Sequence, residues 1–327
     1  MNRSVPLGHE LLPEVLGRLG YATHGIGKWN IGHCNEAYLP WKRGFDTFLG
    51  YFSPGIAYVT HLAVSVWDQG VQGRLHLGGT SVALTDLQYY ESEETFRWDS
   101  AVEFEGLYST TMFTQEALKR IDAQTNHAQN GDNEKALFIW LAYHGVHGDT
   151  GIEDVPGGGD PFDGRQVAGE GATDRSRAFA VALREIDQGV GEVEDAMNRL
   201  SVSVSDGVRR PYVIVLHPDN GAEPCGVYCA GSNLPFRGKK FLEFDGALRL
   251  PAFVYSPTLL QTNRDFASYN KLMHHVDWLA TFAGAAGADV DALLESDDFD
   301  STSHWQSLLD AATEEGGDDC DPYSPRS

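Results

Sequence analysis

Basic residues are scarce in this chain: 24 Lys and Arg stand against 47 Asp and Glu in 327 residues, a formal net charge of −23. That balance excludes a nucleic-acid partner, because a phosphate backbone is held by a face of clustered cations. It also requires any anionic ligand to be drawn by a local group of cations, against a field that repels it overall. Cysteine is scarce too. Cys34 and Cys320 stand alone, and Cys225 and Cys229 flank Gly226-Val227-Tyr228, which reads as a local disulfide or two free thiols. A zinc site would need a second ligand pair at similar spacing, and the sequence has none. Long apolar runs are missing as well. Ala136 to Val146 is interrupted by a tyrosine and a histidine and is too short to span a bilayer. The first residues, Met1 to Pro6, lack the apolar core of a signal peptide, and Asn2-Arg3-Ser4 matches a glycosylation acceptor of a kind that often occurs by chance.

What is present is ordinary for a globular protein: 42% hydrophobic and 22% charged residues, in a chain long enough for one large α/β domain or two small ones. Leu11, Leu12, Val15, Leu16 and Leu19 fall at helical spacing and Gly20 ends the helix. Tyr21 to Ile26 reads as a strand leading into Gly27-Lys28-Trp29-Asn30. Residues 36 to 110 read as long loops with short strands, and a helix is expected over Thr111 to Ile121. Ala136 to Ala142 reads as a buried strand that ends on Tyr143-His144-Gly145-Val146-His147. After a glycine-rich loop from Gly157 to Gly171, Phe179, Leu183, Ile186, Val190, Val193 and Met197 mark the clearest amphipathic helix. Strands at 211–216 and Pro251 to Tyr255 follow, then a helix over Asn270 to Phe282. From Asp297 onward the acidic, Ser- and Gly-rich composition predicts a weakly ordered tail over 296–327. Helices alternating with apolar strands predict a mostly parallel sheet with helices on both faces.

One segment carries the most chemistry. Tyr212-Val213-Ile214-Val215-Leu216 runs into His217-Pro218-Asp219-Asn220-Gly221, and a basic cluster, Arg237-Gly238-Lys239-Lys240, comes soon after. Asn-Gly after an apolar run is also a common hairpin signal. Open α/β sheets, however, place their chemistry at the carboxyl ends of the strands. Asp219 and Asn220 are hard oxygen donors suited to a divalent ion, and Lys240 is a cation suited to an anionic substrate. Lys28 with Asn30, then His147, then Asp219 with Asn220 all follow apolar strands, so a parallel sheet would gather them into one site.

These residues lie in blocks that resemble the type I sulfatases, most closely the arylsulfatase B-like branch. The blocks are Leu12-Pro13-Glu14-Val15-Leu16 with Leu19-Gly20-Tyr21-Ala22-Thr23-His24, then Gly27-Lys28-Trp29-Asn30-Ile31-Gly32, then Arg43-Gly44-Phe45-Asp46-Thr47-Phe48-Leu49-Gly50. Leu141 to His147, Asp219-Asn220-Gly221, Gly231 to Lys240 and Met273-His274-His275-Val276-Asp277-Trp278 continue in the family's order, over about residues 10 to 285. The resemblance implies a sulfatase/alkaline-phosphatase-like α/β fold, incomplete here, and hydrolysis of sulfate esters. It implies a calcium ion, or magnesium in some members, and a formylglycine nucleophile made from cysteine. By the same resemblance Asp219 and Asn220 match a metal pair, while Lys28, His147 and Lys240 match the groups that contact sulfate and help protonate the leaving oxygen. A sulfated small molecule or glycan is the implied partner, and a secreted or lysosomal setting the implied location.

The pattern also departs from the family. Asn30 stands where the family has a histidine that takes a proton, and an amide cannot titrate. None of the four cysteines stands in the Cys-x-Pro/Ala-Ser/Ala-Arg context in which the family forms formylglycine. The expectation is therefore a catalytic domain over 1–295 without its nucleophile segment, shortened at both ends and inactive as written. It is read as a piece of a complete sulfatase or as a degenerate paralogue. Two other readings stand beside this one. A metal-dependent phosphodiesterase of the same superfamily would draw on His274, His275 and Asp277, which the pattern of Leu272, Val276, Leu279 and Ala280 assigns to helix packing. A non-catalytic sulfated-glycan-binding protein would use Lys28, His147, Arg237, Lys239 and Lys240.

Overall fold

The computed structural model describes residues 4–63, 74–77, 80–83, 85–93, 104–130, 135–148, 174–202, 209–223, 231–261, 267–297 and 300–313. Helix α1 (Leu12–Arg18) feeds strand β1 (Tyr21–Lys28), as the leucine spacing and Gly20 predict. Next come β2 (Thr47–Tyr51), β3 (Arg74–Leu77), β4 (Thr80–Ala83), β5 (Gln88–Tyr90), α2 (Ser109–Asn130) and β6 (Ala136–Ala142). The second half contains α3 (Asp174–Val202), β7 (Ile214–Leu216), α4 (Asp245–Leu248), β8 (Phe253–Tyr255), α5 (Asp277–Ala285), α6 (Val290–Asp297) and α7 (Trp305–Thr313).

The main sheet has the order β5-β2-β1-β6. Strand β1 is its axis and runs parallel to both neighbours, with Ile26 opposite Leu49 on one side and Leu141 on the other. Only β5 is antiparallel. Strand alternation sends side chains to two faces, and each face has its own cover. Ile26, Leu49, Tyr51, Ile139 and Leu141 meet Met112, Phe113 and Ala117 of α2 and Val193 of α3. On the other face Phe45, Phe48 and Phe138 form an aromatic layer with Trp29 and Trp41, and Phe282 of α5 reaches Phe138 at 6.5 Å between ring centroids. Val15 of α1 packs with Ala283 and Leu293 beside that layer. The predicted α/β arrangement, mostly parallel and covered on both faces, is therefore present.

Several boundaries differ from the sequence reading. Helix α2 continues to Asn130 because its buried stripe extends past Ile121 to Ala128 and no breaker intervenes before Gly131. Strand β7 begins only at Ile214, because the chain before it is tied to α3: Ser201 Oγ donates to Arg210 O, and Tyr212 Oη donates to Asn198 Oδ1 at 2.9 Å. Strand β7 pairs antiparallel with β8 in a separate two-stranded sheet, not with the main parallel sheet. A short apolar run does not encode the direction of its partner. The helix expected from Asn270 starts at Asp277, whose carboxylate accepts from the His274 N–H at 2.7 Å and fixes a turn ahead of the helix. Part of the expected tail is also folded. α7 buries Leu308 and Ala312, and Ser301 Oγ donates to Val276 O at 2.8 Å. The glycine-rich loop from 157 to 171, the pair Cys225 and Cys229, and Cys320 lie outside the described residues, while Cys34 is an exposed free thiol.

Two glycines let the central strands close up. Gly27 has φ +96°, and a Cβ there would fall 1.9 Å from Ala142 O; a Cβ at Gly50 would fall 1.9 Å from Gly27 O. Replacing Gly27 with alanine combines a left-handed backbone with a backbone clash, so Gly27→Ala is expected to destabilise the fold by about 3 kcal/mol or more, read as a lower urea midpoint.

Two histidines that lose water on folding make stability depend on pH. Burial, then the charge of Arg120, pushes His24 down to about 4 despite Asp46 and Glu91, which act to raise it. Burial likewise pushes His61 down to about 4, with the Leu107 carbonyl opposing it. Both are neutral in the folded state near pH 7, and both regain the ordinary value near 6.5 on unfolding. The unfolded chain therefore binds more protons between those values, and stability falls as pH drops from about 6.5 toward 4. Urea unfolding at pH 7.5 and pH 4.5 is expected to show a loss of about 2 kcal/mol per histidine, and His24→Gln is expected to flatten the His24 share of that slope.

Candidate active site at the strand ends

The parallel register brings the first group together. Lys28 is the last residue of β1, opposite Tyr51, and Gly27 pairs with Ala142, so the chain leaving β6 emerges beside Lys28 at the same edge. Trp29 turns the chain away immediately. Its N–H donates to Tyr51 O at 2.9 Å, and its indole Nε1–H donates to Gly32 O at 2.7 Å. Asn30 is exposed with φ 47°, in the left-handed region that asparagine tolerates better than most residues. Its identity thus has a backbone reason as well as a chemical consequence.

His147 lies on a tight turn after β6. Its N–H donates to His144 O at 3.1 Å, and its own carbonyl accepts from Tyr58 Oη at 2.9 Å. His144 is buried, with Nδ1 at 3.2 Å from Ser109 Oγ and its ring 4.0 Å from the Tyr58 ring. His61 lies behind this group. Its Nε2 is 3.1 Å from Leu107 O, and because a carbonyl only accepts, the proton sits on Nε2. Its Nδ1 is then a bare buried acceptor. Sequence reasoning singled out His147 but not His144, which follows the same strand and is turned into the core, nor Tyr58 and Ser109, which do not follow a strand of the main sheet.

The second group is built around Asn233. Its Oδ1 accepts from Ala222 N–H at 2.8 Å, and its Nδ2 donates to Ala222 O at 2.8 Å and Gly238 O at 3.1 Å. The Lys240 N–H donates to the same Ala222 O at 3.0 Å, and the Gly221 N–H donates to Ala247 O at 3.0 Å. One asparagine therefore clamps the basic loop onto the segment that carries Asp219 and Asn220. Lys239 pairs with Glu223 at 3.5 Å, Arg237 lies over Phe244 at 4.1 Å, and the Lys240 ammonium lies 5.5 Å from the centre of the exposed Phe241 ring. The Gly231 to Lys240 block was visible in the sequence, while the clamping role of Asn233 was not.

Asp219 is exposed, and Asn220 donates Nδ2 to Gly221 O at 3.1 Å, which leaves Oδ1 as an acceptor. Two hard oxygens suit calcium in kind and fall short of the six to eight it takes, so water would have to supply the remainder. Asp46 cannot contribute, since it accepts from Thr23 N–H at the opposite end of the sheet. Among the described residues, no group of three His, Cys, Asp or Glu is arranged to hold a metal. Asp277 is fully buried and turned inward, accepting from His274 N–H and Thr302 N–H, so it does not join His274 and His275 as a ligand set. His275 lies in the turn before α5, and its pKa is lowered by burial and then by His217 and His274, with Asp219 opposing.

The two groups belong to different sheets, and an aromatic chain connects them. His217 stacks on Trp278 at 5.7 Å, Trp278 meets Phe282 at 5.5 Å, and Phe282 meets Phe138 of β6 at 6.5 Å. Helix α5 thus connects His217, two residues before Asp219, to Phe138 on the face of β6.

Comparison with known proteins bears on the family and the fold. The chain is 29% identical to Arylsulfatase J of Mus musculus over 296 residues, covering 90% of this chain and 42% of that protein. It is 27% identical to N-acetylgalactosamine-6-sulfatase of Mus musculus over 254 residues, 77% of this chain and 41% of that protein. The crystal structure of Ps i-CgsB in complex with k-i-k-neocarrahexaose shares the fold at a TM-score of 0.62 and 21% identity, over 95% of this chain and 60% of that one. The PsFucS1 sulfatase from Pseudoalteromonas sp. does so at 0.61 and 18%, over 94% and 58%. The chain thus spans about two fifths of the curated relatives' length and about three fifths of the solved chains'. The sulfatase family model matches residues 1–288, most of the chain, and the chain belongs to the sulfatase family.

Proposed function

We propose that this chain carries the sulfate-binding part of a sulfuric ester hydrolase. The observation that supports the reading most directly is the Asn233 clamp, which holds Lys240 against the segment of Asp219 and Asn220 in a chain matched by the sulfatase family model. A sulfate ester is an anion, and this protein's overall charge of −23 repels anions, so binding depends on cations gathered locally. Lys28 and Lys240 supply that charge. His147 and Lys240 each have a proton to offer the oxygen that leaves when the ester is cleaved. Asp219 and Asn220 are the proposed oxygen ligands of calcium or magnesium, which when bound would polarise the sulfate oxygens.

These 327 residues contain no cysteine in the context that yields formylglycine. The proposed role of the chain by itself is therefore to bind and orient the ester without cleaving it. A sulfated glycan is the proposed ligand. One structural neighbour was solved with a neocarrahexaose and another with D-glucosamine-2-N,6-O-disulfate. A secreted or lysosomal setting, where such glycans occur, is part of the same proposal. Asn30 favours a second reading, a paralogue that binds sulfated glycans and has lost turnover, since its amide cannot replace a titrating imidazole.

Titration of the purified chain with inorganic sulfate at constant ionic strength is expected to give saturable binding. Lys240→Ala and Lys28→Ala should each weaken it about tenfold, as befits a lost charge-assisted contact. Sulfate affinity that is indifferent to both substitutions would rule the site out. Calcium titration is expected to give a dissociation constant of about 1 mM or weaker that Asp219→Ala abolishes, whereas micromolar affinity would mean that further ligands are in place. Incubation of the chain with an aryl sulfate and calcium is expected to release no product, and clear metal-dependent turnover would overturn the non-cleaving role.

A further inference from the structure

We propose that Tyr58 is a positioning residue for His147, holding both ends of the turn that presents it. This inference rests on the sulfate-contacting role proposed above for His147. Tyr58 is completely buried, and a core position of that kind needs only a ring; phenylalanine would fill it. The hydroxyl has a specific use instead. It donates to the carbonyl of His147 at 2.9 Å, across 89 residues of sequence. The same ring lies 4.0 Å from the ring of His144, whose carbonyl accepts the His147 N–H. One side chain therefore touches the first and the last residue of the four-residue turn 144–147.

The support for Tyr58 is itself rigid. Its loop closes through Ala57 N–H to Leu62 O at 2.9 Å and His61 N–H to Ala57 O at 3.0 Å. Tyr58 O accepts from Ser109 N–H at 2.8 Å, at the start of α2, and Ser109 Oγ contacts His144 Nδ1. Tyr108 packs on the Tyr58 ring at 5.0 Å. Two segments distant in sequence converge on the turn, and of Tyr58, Tyr108, Ser109, His144 and His147 it is His147 that is left partly open to solvent. Fixing the His147 carbonyl fixes the backbone direction at that residue, and with it the vector along which the imidazole leaves the chain. A site residue held in this way loses less conformational freedom when an anion arrives.

The test is a double-mutant cycle read by titration with inorganic sulfate, with thermal unfolding of each variant recorded to confirm folding. Tyr58→Phe keeps the ring and removes the hydroxyl. It is expected to weaken sulfate binding about threefold to tenfold in the wild-type background and in a Lys240→Ala background, and to have no effect once His147→Ala is present. An equal loss in all three backgrounds would show a general structural effect and overturn the inference. So would unchanged affinity in Tyr58→Phe alongside a clear loss in His147→Ala. If His147→Ala itself leaves sulfate affinity unchanged, the sulfate-contacting role of His147 fails first and the positioning role falls with it. Should Tyr58→Phe not fold at the titration temperature, Ser109→Ala, which releases His144 in the same turn, is expected to give the same pattern.

Discussion

The parallel pairing of β1 with β2 and β6 is the constraint on which the rest of this structure depends. It is tight because Gly27 and Gly50 have no Cβ to keep the strands apart. Parallel strands end at the same edge, so the last residue of β1 and the turn after β6 emerge side by side. The helices on either face bury the apolar side chains that this pairing generates: α2 and α3 over Ile26 and Leu49, α5 and the aromatic layer over Phe48 and Phe138. The same register places Lys28 at the strand edge from which the chain leading to His147 departs.

The two pieces of the proposed site are held by different physical means. At Lys28 and His147 the means are sheet register and a buried tyrosine, so geometry is inherited from the core. At Asp219, Asn220 and Lys240 the means are hydrogen bonds from one amide side chain, Asn233, which accepts from one residue's N–H and donates to two carbonyls. The first arrangement resists displacement because moving it disturbs packing. The second depends on a few polar contacts at a partly exposed loop, and such contacts are individually modest. Helix α5 connects the segment after β7 to the main sheet through Trp278 and Phe282, which stack on His217 and meet Phe138.

Much of the fold could be read directly from residues. The leucine spacing before Gly20, the seven-residue apolar run of β6 and the amphipathic repeat of α3 each produced the element they predict. The strand-end position of Lys28 and His147 followed from those elements. The direction of β7 did not, because three apolar residues pair equally well in either sense until the intervening chain is folded. The helix start at Asp277 was also hidden. It depends on a carboxylate accepting from the His274 N–H and on residues 301 and 302 closing over it from beyond the expected end of order.

The sequence by itself determined the class of fold, its family, and the chemical groups on which the proposed site draws: two ammonium groups, an imidazole and a carboxylate–amide pair. These are properties of residue type and order, and they survive without coordinates. Only the tertiary structure decided which of those groups share an edge and which side chains hold them there. Tyr58 reaches His147 across 89 residues, and Asn233 reaches Ala222 across 11. Contacts of that kind leave no periodicity in the chain, because they are fixed by where the strands end and not by the spacing of residues along them.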